Sequence, residues 1–124
     1  MRLSDYLDLW EKCTVDPSRS HEIELAVTKL LAGWQKYSAV KKETDIPEHV
    51  TGVIHYRESD FSFGTWLANG DPLFDHDGHA LKTRHVPVGL GPVTSWEEGA
   101  ILSFHHERFD TCIVTGKQIG RAHV

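Results

Sequence analysis

The carboxyl group in the most chemically suggestive position is that of Glu58. Val50 and Ile54 are four residues apart, and Glu58 is the next step on that spacing. We predict a helix with Pro47 at its first position and a partly buried Glu58 near its C-terminus. Burial and the helix dipole there both favour the neutral acid. Such an acid can protonate a leaving sugar oxygen, as glycoside hydrolysis requires, whereas a Glu58 that only frays into solvent would do no chemistry.

Several neighbours of Glu58 are candidates for supporting roles. Asp60 or Asp71 could supply the second carboxylate, because glycosidases generally use a pair. Asp71 precedes Pro72 at a turn, so an Asx-type turn is the simpler interpretation of this residue. Ser59 could orient Glu58 or bind substrate, although a hydroxyl at a helix end often only caps carbonyl groups.

Three further positions complete the candidate binding residues. Asn69 and Gly70 form a strong turn signal and could also offer amide and backbone contacts to acetamido groups. His55 lies one turn before Glu58 on a nearby face. Its possible roles are substrate binding, packing and support of Glu58.

The nine histidines raise the question of a metal site. Two groups of possible ligands occur: His76, Asp77 and His79, and His105, His106 and Glu107. Structural zinc sites need about four ligands at recognisable spacing, and the segment from Asp75 to Gly78 is only a fragment of a calcium loop. We therefore predict no metal and no other cofactor. A metal-dependent amidase or peptidase that uses these histidines is kept as an alternative.

The spacing of apolar residues predicts mainly helices. A first helix should begin at Ser4 and end before Pro17, and the clearest periodicity, from Ile23 to Trp34, predicts a second. Tyr37 and Val40 continue into a third segment before the Glu58 helix. Ser95 followed by Glu98 is a capping box that should begin a last helix.

A small β element should separate the last two helices. Residues 61–65 alternate between larger and smaller side chains, which predicts a short strand or an extended segment, and Asn69-Gly70 predicts a turn. Residues 75–79 are polar and contain Gly78, which is typical of a loop tip. The expected fold class is thus mainly α, within the α+β group.

Composition and charge restrict the class of protein and its partners. The chain has 124 residues, of which 40% are hydrophobic and 25% are charged, values ordinary for a single globular domain. A formal charge of -5 gives no basic footprint for nucleic acid. No apolar run is long enough for a membrane span, and the N-terminus lacks the apolar region of a signal peptide. Cys13 and Cys112 could form one disulfide but nothing requires it, so the compartment stays open.

One set of residues resembles a family of bacterial and phage-associated lysozyme-like peptidoglycan hydrolases. The resemblance covers roughly residues 8–104 and is most specific where Asn-Gly-Asp-Pro-Leu follows a Glu-Ser pair. The matching residues are Lys36-Tyr37, Thr44, Ile46-Pro47, Ile54-His55, Glu58-Ser59, Phe61, Leu67, Asn69-Gly70-Asp71-Pro72-Leu73, Thr83, His85-Val86-Pro87, Gly89 and Trp96-Glu97.

The resemblance implies a lysozyme-like fold, with a small β-hairpin after the helix that carries the catalytic glutamate. It implies that Glu58 is the general acid that cleaves the β-1,4 bond between N-acetylmuramic acid and N-acetylglucosamine in peptidoglycan glycan strands. Hydrolysis and lytic transglycosylation both stay open. A catalytically silent cell-wall-binding or assembly module on the same fold is the main alternative, because a fold does not determine function.

The last seven residues, 118–124, read as the in-frame translation of a DNA-sequencing adapter. We therefore expect residues 1–117 to be a partial lysozyme-like domain that is incomplete at its C-terminus. Residues from about Phe109 onward should pack poorly, and residues 118–124 should lie outside the fold.

Overall fold

A computed structural model describes residues 1–108, and the expectations for Phe109 onward, including residues 118–124, lie outside the described residues. The mainly helical class is confirmed for this part of the chain. Five α-helices and one 3₁₀ turn follow in order: α1 (Leu3–Lys12), the turn Pro17–Arg19, α2 (Ser20–Ala32), α3 (Trp34–Thr44), α4 (Glu48–Ser59) and α5 (Trp96–His106). No helix among residues 1–108 combines the length and the apolar character needed to cross a membrane.

The helix ends follow local chemistry, with small differences from the predicted starts. Helix α1 begins after Arg2 rather than at Ser4, because the Arg2 N–H donates to the Asp5 carboxylate at 2.8 Å. Pro47 is the residue before α4 rather than its first residue. Ser95 caps α5 as predicted, and its Oγ accepts a bond from the Glu98 N–H at 3.1 Å.

Helices α3 and α5, the connection between α3 and α4, and the loop segment 60–95 supply the buried hydrophobic core, against which α4 packs. Ten hydrophobic residues there are buried: Tyr37, Val40, Ile46, Trp66, Leu67, Leu73, Val93, Trp96, Ala100 and Phe104. Partly buried side chains such as Leu30 from α2 pack against this cluster. The core is thus built without a fully buried residue from α1 or α2.

Helix α4 presents a different face to the core from the one that its apolar spacing predicts. Thr51, Gly52 and His55 are buried, whereas Val50 and Ile54 are only partly buried. Gly52 explains this orientation, because a Cβ at that position would lie 2.8 Å from the Leu30 side chain. The absence of a side chain lets α2 approach α4 closely at this face.

The β element predicted between α4 and α5 is reduced to two isolated antiparallel bridges, Thr65–Pro72 and Phe74–Ala80. The short strand or extended segment predicted over residues 61–65 is wrong. Asp60 and Phe61 both adopt the left-handed conformation, with φ of 50° and 63°, and turn the chain away from α4. The alternation of side chains there reflects a tight turn rather than a pleat.

Candidate active-site groove

Glu58 lies on the last turn of α4 and lines an open groove with a volume of about 220 Å³. The walls come from α4, from the turn after Thr65 and from the end of α5, and the lining residues are Ile54, Glu58, Leu67, Ala68, Ser103, Phe104 and Glu107. The predicted position at a helix end beside a cleft is confirmed. The predicted partial burial is wrong, because Glu58 is exposed. Glu58 is on the same side of α4 as the buried Thr51 and His55, seven and three residues earlier, but it lies on the last turn, beside the open groove.

Glu107 is a second carboxylate in the same groove, and the sequence did not indicate that it lies near Glu58. It follows the last residue of α5, and its backbone N–H donates to the Ser103 carbonyl at 3.1 Å. Like Glu58, it is exposed. In the sequence it was considered only as a metal ligand beside His105 and His106, because its proximity to Glu58 depends on how α5 packs in the fold.

Asp60, one of the two predicted partners of Glu58, faces another part of the surface. It follows α4 in the left-handed conformation and lines a separate open cavity of about 290 Å³ with α2 residues, among them His21 and Lys29. Asp60 is not among the residues that line the Glu58 groove. The structure therefore does not bring Asp60 and Glu58 together in one cavity.

Asp71, the other predicted partner, is a buried structural anchor. Its Oδ2 accepts the backbone N–H groups of Arg84 and His85 at 2.7 and 2.9 Å, and its Oδ1 lies 2.6 Å from the His85 Nδ1. The His85 N–H and the His85 ring, followed by the Arg84 N–H, lower the pKa of Asp71 to about 2. These bonds fasten the turn to a loop that is distant in sequence, which differs from the local Asx turn expected for Asp71.

The local Asx turn belongs to Asn69 instead. Its Oδ1 accepts the Asp71 N–H at 2.9 Å, and its Nδ2 donates to the His85 carbonyl at 3.1 Å. Gly70 has a φ of 79°, which suits glycine at this turn. A Cβ at Gly70 would lie 3.6 Å from the Glu58 carbonyl oxygen, so the turn lies directly against the C-terminus of α4. The Asn-Gly-Asp turn is therefore predicted correctly, and its position connects it to the Glu58 helix.

Ser59 and His55 make bonds within the protein. The Ser59 Oγ donates to the His55 carbonyl at 3.3 Å, as expected of a hydroxyl that caps a helix end. His55 is fully buried, and its ring lies 4.6 Å from that of Phe63 and 4.7 Å from that of Trp96. This position favours the packing role for His55 over direct contact with a substrate.

Both ring nitrogens of His55 have partners, which determines its tautomer. Nε2 lies 2.7 Å from the Ser62 carbonyl, which can only accept, so Nε2 carries the proton. Nδ1 then accepts from the Tyr37 hydroxyl at 2.8 Å. Burial lowers the pKa of His55 and raises the pKa of Tyr37 to about 12, so both groups are neutral at pH 7. The pair ties α3 to α4.

Among residues 1–108, one group of side chains could hold a metal ion: Asp75, Asp77 and His79. The Asp75 Oδ1 accepts the N–H groups of Asp77 and His79 at 2.9 and 2.8 Å, and the Oδ2 lies 3.1 Å from the His79 Nδ1. These bonds account for the cluster as a hydrogen-bonded turn. His105, His106 and Glu107 do not converge on a common point in the described part of the chain.

No protein-family description, curated protein or solved structure matches the chain.

Proposed function

We propose that the chain is a lysozyme-like glycoside hydrolase that acts on peptidoglycan glycan strands, with Glu58 as general acid. The observation that carries the proposal is that Glu58 and Glu107 line one groove. Paired carboxyl groups flanking a glycosidic bond are the usual catalytic arrangement of glycosidases. The Asn-Gly-Asp turn against the end of α4 adds support, because the resemblance rests on the same residues.

In this proposal Glu58 donates its proton to the glycosidic oxygen as the C–O bond breaks. Glu107 is the groove carboxylate that can accept a proton from an attacking water or stabilise the positive charge on the sugar. A bound glycan would cover Glu58 and exclude water from the groove. Of the apolar lining residues Ile54, Leu67 and Phe104, the partly exposed Ile54 is the one that can contact a sugar ring.

The groove is smaller than the roughly 300–1,000 Å³ typical of ligand pockets. A glycan strand would therefore extend beyond it in both directions. Asn69 and Gly70 lie beside the end of α4 and are the candidates for contact with an acetamido group outside the groove, whereas the Asp71 carboxylate is already bonded to the loop at Arg84 and His85.

The test is the loss of turbidity of purified peptidoglycan, with Glu58→Gln beside the parent chain. Glutamine is nearly isosteric but cannot donate a proton, and general acid catalysis contributes about a hundred- to ten-thousand-fold, so the rate should fall by at least about a hundredfold. Glu43→Gln is the matched control, because Glu43 is an exposed carboxylate on α3 outside the groove. Thermal melts of all three proteins should agree.

Different results would support the alternatives. A parent that sediments with peptidoglycan without clearing it would indicate a silent binding module. Clearing that stops with a chelator and returns with zinc would indicate metal-dependent chemistry. If Glu58→Gln keeps at least a third of the parent rate with an unchanged melt, Glu58 is not the acid.

A further inference from the structure

Three hydrogen-bonding groups of His85 bind to the turn at residues 69–71. The His85 N–H donates to the Asp71 Oδ2 at 2.9 Å, and the ring Nδ1 lies 2.6 Å from the Asp71 Oδ1. The His85 carbonyl accepts from the Asn69 Nδ2 at 3.1 Å. The His85 side chain is nevertheless 81% exposed. His85 is therefore a surface residue whose backbone and ring are both held in place.

The bond to Asp71 determines which ring nitrogen of His85 is left for other partners. Bonds from the His85 N–H and ring keep the pKa of Asp71 at about 2, so this carboxylate is ionised at pH 7 and can only accept. Nδ1 therefore carries a proton, and in the neutral ring Nε2 keeps its lone pair. No residue among 1–108 forms a hydrogen bond with Nε2. The exposed Nε2 is thus an oriented acceptor for an external donor.

The turn that holds His85 continues directly from the wall of the Glu58 groove. Leu67 and Ala68 line the groove and immediately precede the turn in the chain. A Cβ at Gly70 would lie 3.6 Å from the Glu58 carbonyl oxygen, so the turn also contacts the end of α4. Consecutive Cα atoms are only about 3.8 Å apart, so a residue bonded to this turn lies close to the groove. His85 is therefore at the groove edge.

We propose that His85 is a glycan-binding residue at the edge of the groove, where its Nε2 accepts a hydrogen bond from a hydroxyl or amide N–H of the strand. This role rests on the proposed function, and it adds one place where a strand longer than the groove is held. A ring that is already fixed loses little conformational entropy on binding. A metal ion is a poorer partner, because the one group of possible ligands that converges among residues 1–108 does not include His85.

His79 offers an internal comparison, because its ring is held in a similar way. Its Nδ1 lies 3.1 Å from the Asp75 Oδ2, and its N–H donates to the Asp75 Oδ1 at 2.8 Å. Its side chain is 77% exposed. These bonds lie within residues 75–79, and none of them reaches the turn at residues 69–71. The two rings have the same chemistry, so a difference in their behaviour toward a glycan reports their different locations.

The experiment is calorimetric titration of peptide-free glycan strands into the full chain carrying Glu58→Gln, which leaves the strands uncut. His85→Asn is added to this parent, because the asparagine Nδ2 can replace the donor to Asp71 while the shorter side chain does not reach the Nε2 position. The Kd should rise about three- to tenfold, the value of one hydrogen bond. His79→Asn is the matched control and should leave the Kd within about twofold of the parent. Urea midpoints of all three proteins should agree.

A second measurement needs no substitution at position 85. In a long-range proton–nitrogen NMR spectrum of the Glu58→Gln chain, the strands should shift the ring signals of His85 and leave those of His79 in place. Unshifted His85 signals overturn the proposal. So does a His85→Asn protein that binds the strands as tightly as its parent.

Activity measurements separate this contact from the proposed function itself. In the chain with Glu58 intact, His85→Asn should raise KM and leave kcat within about twofold. A fall in kcat with an unchanged KM overturns the proposal, because it would place the ring at the reacting atoms. If His85→Asn has no effect while the unmodified chain clears peptidoglycan, only the His85 contact is wrong. If the unmodified chain clears nothing and the Glu58→Gln chain binds no strands, the proposed function is wrong and the His85 contact with it.

Discussion

The first 32 residues and residues 33–108 differ sharply in how they use apolar side chains. Helices α1 and α2 have no buried residue, although α2 has the clearest apolar spacing in the sequence. Helix α4 has only a short apolar stripe, Val50 and Ile54, yet the residues that it buries are Thr51, Gly52 and His55. Apolar spacing therefore marks where a helix forms, whereas burial depends on which other elements are available to pack against it.

The comparison predicts that the same substitution will have very different effects in the two regions. Trp66 is fully buried, and its Nε1 donates to the Leu81 carbonyl at 3.3 Å. Trp66→Ala should lower the free energy of unfolding by about 3–5 kcal/mol, because it leaves a large cavity in the core. Trp10→Ala should change it by less than about 0.5 kcal/mol at low protein concentration. Urea denaturation of both variants is the measurement. Similar losses in the free energy of unfolding would contradict the difference between residues 1–32 and residues 33–108.

Asp71 provides the next contrast, with Asp75 as its counterpart. Asp71→Asn removes the charge that accepts two N–H groups from residues 84 and 85, whereas Asp75→Asn affects only a turn of five residues. We expect a clear drop in urea midpoint for Asp71→Asn, smaller than that of Trp66→Ala, and little change for Asp75→Asn. Hydrogen exchange should show lost protection at the Arg84 and His85 amides in the first variant only. Equal midpoints for the two variants would show that the bonds from Asp71 to the Arg84 and His85 amides add no stability.

A smaller effect is expected from the hydroxyl of Tyr37. Tyr37→Phe removes the donor to the His55 Nδ1 and leaves that buried nitrogen without its partner, at a cost of about 1–3 kcal/mol. Tyr6→Phe makes the same chemical change on exposed α1 and should be nearly neutral. Thermal unfolding of the two variants measures the difference. If Tyr37→Phe leaves the stability unchanged, the His55 Nδ1 finds another hydrogen-bond partner when the Tyr37 hydroxyl is absent.

Local signals made much of the fold predictable. The spacing of apolar residues located the helices, the Ser95–Glu98 pair marked the start of α5, and Asn69-Gly70 marked a turn. In each of these cases the determining contacts lie within a few residues. The same reasoning failed at residues 61–65, where two consecutive left-handed residues depend on how Phe61 and Phe63 pack around the His55 ring.

The groove was predictable only in part. A carboxylate on an apolar stripe near a helix end correctly indicated that Glu58 borders a cleft. Its exposure was not predictable, because burial on the last turn of α4 depends on which distant segments lie beside the helix end, and there they leave an open groove. Glu107 was missed for a similar reason, since 49 positions separate it from Glu58 and only the packing of α5 brings the two into one groove.

The smallest expected effect is a pH dependence that originates in the compact region. Burial lowers the pKa of His55 below its ordinary value of 6.5, so the unfolded chain binds a proton at this site more readily than the folded protein. Stability should therefore be fully present above about pH 6.5 and should decrease as the pH falls below that value. The Asp71 carboxyl has a pKa of 3.8 in the unfolded chain, so it titrates below this range and does not obscure the effect of His55.

The measurement is the urea midpoint at pH 7.5 and at pH 5.5. The midpoint of the parent should be lower at pH 5.5, and so should that of His49→Gln, which replaces an exposed histidine on the same helix. The difference should shrink in His55→Gln, whose amide can still donate to the Ser62 carbonyl but cannot take up a proton. If His55→Gln retains the full difference, the pH dependence comes from other groups and the buried histidine does not couple folding to pH.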